Sequence, residues 1–145
     1  MRRHSSSAFI VVGCGRLGAH VAARLSDAGN DVTVIDRDAA AFRGLPVDFS
    51  GVTLCGDATD WRVLQQAGLG EVDALLAATG RDNTNFMVSL LARRIGEVPR
   101  VLARVEEADR EPIFRDAGIE TICPLLDAAT LLLDRLSWIE PQAQP

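Results

Sequence analysis

Three glycines spaced as Gly13-x-Gly15-x-x-Gly18 follow a short apolar run, and a carboxylate, Asp36, stands eighteen residues beyond Gly18. This is chemistry for holding a nucleotide. The first glycine permits a tight turn, the second lets the backbone approach a pyrophosphate, and the third lets a helix pack closely on a strand. Free N–H groups at the start of that helix then face the phosphate oxygens. The expected phosphate loop is therefore Gly13, Cys14, Gly15, Arg16, Leu17 and Gly18. Asp36 is placed to accept from both ribose hydroxyls and to repel a 2′-phosphate, which favours NAD(H) or another adenosine nucleotide over NADP. Arg37 works against that exclusion, because a neighbouring guanidinium attracts a 2′-phosphate.

Two more turns carry polar groups to the same end of the fold. In Gly56-Asp57-Ala58-Thr59-Asp60, an Asp side chain could accept from an adenine amino group while a backbone N–H donates to a ring nitrogen. Thr59 or Asp60 would cap the helix that follows. Ala77-Ala78-Thr79-Gly80 would pass beside ribose or phosphates, with Asp82 capping the next helix.

The elements that must position these groups alternate throughout. Strands are expected over 8–12, 31–36, 51–55, 73–77, 101–105 and 120–123, and helices over 17–28, 39–43, 61–67, 83–95, 110–117 and 126–136. The first helix would turn Leu17, Val21, Leu25 and Ala28 to one side. Nearly continuous apolar strands separated by helices imply an α/β fold. A doubly wound, Rossmann-like, six-stranded parallel sheet would carry helices on both faces and ligands at the carboxyl ends of its strands. Residues 1–7 and 140–145 are expected to be flexible tails.

The 145 residues suit one domain, and 48% hydrophobic content suffices for a core. A net charge of −5 argues against nucleic acid or an anionic membrane surface as partner. All fifteen basic residues other than histidine are Arg, and there is no Tyr, so Lys-dependent phosphate loops, Schiff bases and Tyr–Lys dehydrogenase pairs are excluded. Cys14, Cys55 and Cys123 fit neither a disulfide framework nor zinc spacing, as expected in a reduced cytosolic setting. The apolar start is too short, and too soon broken by Gly13, for a signal peptide or a membrane span.

The segments IVVGCGRLGAHVAARL, VTVID, LCGDATD, AATGRDNTN, VLARV and ETICP, in this order, resemble the N-lobe of regulators of potassium conductance, also called KTN or TrkA N-terminal domains. The resemblance runs from about Phe9 to Leu136. It implies a cytosolic module, peripheral to the membrane through its partner, that binds NAD(H), ATP, ADP or AMP and gates a potassium channel or transporter through a hinge between paired lobes. It implies that Gly13 to Gly18 hold phosphates, Asp36 the ribose, Asp57 and Ala58 the adenine, with Thr79 and Gly80 lining the pocket. Arg16 and Arg104 match basic positions near phosphates, Arg16 sometimes reaching across a dimer. Some relatives carry a Glu after the sixth-strand Pro, where it binds a metal; here Pro124 is followed by Leu125, and no metal is expected. Residues 8–124 would form the nucleotide-binding domain, without the C-lobe of many relatives, so a separate membrane subunit, and a C-lobe chain, would be the partners.

The last segment, 125–139, is apolar nearly all round and needs a second docking surface. The resemblance supplies one, a crossover helix that makes a homodimer or a larger ring. Phe86, Met87, Leu90 and Leu91 are candidates for the same interface or for the core. The rival readings are a small NAD-dependent oxidoreductase and a nucleotide-sensing module for another ion exchanger or signalling partner. His4 and His20 both lie away from the expected cleft, so no proton donor serves hydride transfer, and a non-enzyme is expected.

Overall fold

The computed structural model describes residues 5–139. Six strands form one sheet: β1 (Ala8–Val12), β2 (Asp31–Asp36), β3 (Val52–Cys55), β4 (Ala74–Ala77), β5 (Arg100–Arg104) and β6 (Glu120–Ile122). All pairs are parallel, in the order β3-β2-β1-β4-β5-β6. The helices are α1 (Arg16–Asp27), α2 (Trp61–Gln66), α3 (Asp82–Leu90), α4 (Glu111–Asp116) and α5 (Pro124–Leu136), with a 3-10 turn at Ala39–Gly44. Expected and observed boundaries agree closely, except that the helix expected over 83–95 ends in a π turn at Leu91–Ile95, where the Gly96 N–H reaches back to the Leu91 carbonyl at 3.0 Å. The tails expected over 1–7 and 140–145 lie outside the described residues except for 5–7. Of these, Ser7 is held: its N–H donates to Asn30 and its carbonyl accepts from Asp31 N–H.

Side chains alternate across the strands and divide the core in two. Ile10, Val12, Ile35, Leu75, Ala77 and Ala103 face α2, α3 and α4, meeting Leu64, Val88 and Phe114. Val11, Val32 and Val34 face α1 and the 3-10 turn, meeting Ala19, Ala22 and Phe42. The buried stripe of α1 differs from the expected one. Gly18, Ala19, Ala22 and Ser26 are buried, Leu17, Val21 and Leu25 only half-buried, and Ala28 exposed. Helix and sheet approach so closely that a Cβ on Gly18 would stand 1.9 Å from the Gly13 carbonyl oxygen, so small residues must line the contact.

Strand order reverses between β1 and β4, since β1 runs on to β2 and β3 while the chain then returns to β4. Their carboxyl ends diverge there and open a crevice. At the far end of the chain, no residue of α5 is buried. Of the candidate interface residues, Phe86 packs edge-on against Phe114 at 5.0 Å. Leu90 and Leu91 also pack on the core, leaving Met87 exposed.

Candidate functional site

The crevice is a cleft of about 700 Å³ at the carboxyl ends of β1, β2, β3, β4 and β5. Its floor is the glycine loop. Gly13 has φ +99° and its N–H donates to the Ile35 carbonyl at 2.8 Å. A Cβ there would meet Ala78 and Thr79 backbone at 2.8–2.9 Å, so the turn requires glycine. Gly15 is the N-cap of α1, with no side chain bonded to the helix end and no acidic residue in its first turn. A Cβ on Gly15 would meet nothing within 4 Å, which leaves the amides of that first turn open to an anion.

Two carboxylates flank the loop. Asp36, ending β2, accepts from Cys14 N–H through Oδ2 and from Asp38 N–H through Oδ1, both at 2.8 Å. It thus ties the glycine loop to the next turn while its remaining lone pairs border the cleft. Asp57 accepts twice on Oδ1, from the Thr59 hydroxyl at 2.7 Å and the Thr59 N–H at 2.9 Å. Its other oxygen makes no hydrogen bond among the described residues. The Thr59 hydroxyl, then its N–H, hold the Asp57 carboxyl below the usual range, with Arg37 adding a smaller pull. Ala58 is buried beside it on the wall. Asp60, rather than Thr59, caps α2 by accepting from Arg62 N–H at 3.0 Å.

The opposite wall depends on one fully buried amide. Asn85 Oδ1 accepts from Thr79 N–H at 3.0 Å and from the Thr79 hydroxyl at 2.6 Å, and Nδ2 donates to the carbonyls of Thr79 at 3.0 Å and Arg104 at 2.8 Å. Thr79, Gly80 and Arg104 are thereby presented to the cleft. Arg104 is ion-paired to Glu106, and its Nε, enclosed by protein, has no partner among the described residues.

Most of the expected residues therefore meet: Gly13, Gly15, Asp36, Arg37, Asp57, Ala58, Thr79, Gly80 and Arg104 border one cleft. Arg16 and Cys14 do not. They line a shallower hollow beside α1 with His20 and Leu45. Cys14 is buried there, and burial, then the Asp36 charge, push its thiol up. Leu17 and Gly18 border neither hollow. Asp82 does not cap α3, whose N-cap is Arg81; its carboxylate turns to accept from Glu106 N–H at 2.8 Å and Glu107 N–H at 3.1 Å. Arg81 and Thr84 border the cleft and were missed, as was the organising role of Asn85. All three lie in the stretch TGRDNTN, whose cluster of turn and amide residues was the available signal.

The family model of the TrkA-N domain matches residues 9–124. A Trk system potassium uptake protein TrkA from Streptomyces coelicolor is 35% identical over 127 residues, covering 88% of this chain and 57% of that protein. The chain spans about half the length of the curated relatives it matches. Among solved structures, the GsuK RCK domain superposes with a TM-score of 0.77 at 27% identity, covering 92% of this chain and 29% of the other. A crystal structure of GsuK bound to ADP gives 0.77 and 27%, covering 92% and 35%.

Proposed function

Because the chain belongs to the TrkA-N domain family, we propose that it binds an adenine nucleotide, NAD(H) or one of ATP, ADP and AMP, as a regulatory ligand. The observation that carries this is the uncapped start of α1 opening, through Gly15, into a cleft bordered by Asp36, Asp57 and Arg104. The residues fit such a ligand. Open helix amides and Arg104 suit phosphates, Asp36 suits ribose hydroxyls, and the unengaged oxygen of Asp57 suits an adenine amino group. Asp36 disfavours NADP by charge. No catalytic step is proposed: His20 is exposed and lies in the other hollow. A ligand sensed rather than transformed matches a cleft whose ionisable groups are carboxylates and guanidinia.

The regulated partner is a membrane potassium channel or transporter, with this domain on its cytosolic side. GsuK is a channel with an RCK domain and has been seen with ADP, and the Streptomyces relative is a potassium uptake protein. No helix among the described residues is long and apolar enough to cross a membrane.

The domain works as a homodimer. Leu125, Leu131, Leu132 and Leu133 of α5 are exposed, and each buried Leu would contribute about 1.5–3 kcal/mol. Beside α1, Phe9, Val21, Leu25, Leu76 and Leu102 line an apolar groove of about 240 Å³. The α5 of a second copy fits the character of that groove. Ligand-dependent change in the angle between paired domains is then the signal to the membrane subunit.

A thermal-shift panel of NAD, NADH, NADP, ATP, ADP and AMP tests the ligand. At about 100 times its dissociation constant, the true ligand adds roughly 2.7 kcal/mol, several degrees for a domain of this size. Stabilisation by at least one of them but not by NADP is expected. No shift with any, or an equal shift with NADP, overturns the reading.

A further inference from the structure

We propose that Glu106 is a built-in competitor for the nucleotide's phosphate at Arg104, and so sets how strongly the cleft favours phosphorylated over unphosphorylated adenosine. The inference rests on the adenine-nucleotide reading of the cleft. Three arginines border that cleft, and Arg37 and Arg81 make no ion pair among the described residues. Arg104 alone of the three is engaged, Nη2 on the Glu106 carboxylate, while its enclosed Nε has no partner.

Glu106 is held in place by contacts that do not involve its own charge. The buried carboxylate of Asp82 accepts from the N–H groups of Glu106 and Glu107, and Cys123 Sγ donates to the Glu106 carbonyl at 3.8 Å. The Arg104 backbone is held in turn by Asn85. The backbone at both ends of the ion pair is thus anchored, which keeps the acid within reach of the guanidinium. A phosphate reaching Arg104 either displaces Glu106 or shares the guanidinium with it, placing two anions side by side. The second arrangement uses the Nη N–H groups that Glu106 leaves free, since a guanidinium has donors for two acceptors. In either case binding is weakened by the acid's charge, and adenosine without phosphate does not sense it.

Glu106→Gln keeps the shape and removes the charge. Titration calorimetry on the full chain, with adenosine and ADP as probes, would compare wild type, Glu106→Gln, Arg104→Gln and the double variant. ADP should bind Glu106→Gln about tenfold more tightly than wild type, the factor that 1.4 kcal/mol represents, with adenosine unchanged. Arg104→Gln should weaken ADP and abolish the gain, a coupling that loss of structure alone would not produce. The melting temperature should change little, because the pair is partly exposed. If wild type binds ADP but Glu106→Gln binds it no more tightly, or tightens adenosine equally, this inference falls and the nucleotide reading stands. If neither protein binds either probe, both fall.

Discussion

The side-chain amide of Asn85 donates to the backbone carbonyl of Arg104 at 2.8 Å, joining α3 to the last residue of β5. The same amide also brackets Thr79 at the end of β4, accepting twice and donating once more. Four hydrogen bonds use its full capacity, and it is completely buried. One side chain therefore sets the spacing of the two strand ends that form one wall of the cleft.

Asn85→Leu should be the most destabilising single change at the site. It would leave the Thr79 N–H and the Arg104 carbonyl buried without partners, at about 1–3 kcal/mol each. A loss of about 2–4 kcal/mol is expected in urea unfolding, with nucleotide affinity lost in the same variant.

The glycines of the loop should separate into two kinds. Gly18→Ala drives a Cβ into the Gly13 carbonyl oxygen at 1.9 Å and should cost about 1–3 kcal/mol or prevent folding. Gly15→Ala meets open space and should change stability by no more than about 1 kcal/mol. Its methyl group would occupy the approach to the helix amides, so ADP or NAD affinity should fall on the order of tenfold or more. Melting curves and calorimetry on both variants check the contrast.

Asp57 should remain ionised below the usual Asp range, chiefly through the Thr59 hydroxyl. A carboxylate whose pKa is depressed on folding contributes stability above its unfolded pKa. That contribution disappears as pH falls through the lower folded value. Thr59→Val removes the first cause and leaves the N–H bond. An NMR titration of the Asp57 carboxyl should move upward in this variant, and any binding that needs the carboxylate should fail at a higher pH than in wild type.

Leu132, exposed on α5, should lie in the interface between two copies. Wild type should scatter light as a dimer at micromolar concentration and Leu132→Glu as a monomer, with the far-UV spectrum unchanged. A monomeric wild type would remove the dimer and with it the proposed hinge.

Much of this protein was legible in its sequence because local pattern carried it. Apolar runs separated by helical stretches determined the strand and helix order, and that order implied a parallel sheet with its crevice at the strand ends. The spacing of Gly13, Gly15 and Gly18 after a strand, with Asp36 ending the next, pointed to the end of the sheet where Gly13, Gly15 and Asp36 border the cleft, and Asp60 was readable as a cap because capping spans only a few residues.

What only the tertiary structure decided involves residues far apart along the chain. The apolar spacing of Leu17, Val21 and Leu25 marked a flank of α1 that is half-buried, with Leu25 packed on the core, whereas the fully buried line runs through Gly18, Ala19 and Ala22, where the helix closes on the Gly13 carbonyl. Asp82 resembled a cap by position, yet its carboxylate serves the turn after β5, twenty-four residues away at Glu106. Arg16 lies in the loop motif but borders the other hollow, whereas Arg81 reaches the cleft. Side-chain direction and burial of this kind follow from how α1 and α3 sit on the sheet. Periodicity reports which residues share a face of one element, and the packing of elements determines what that face meets.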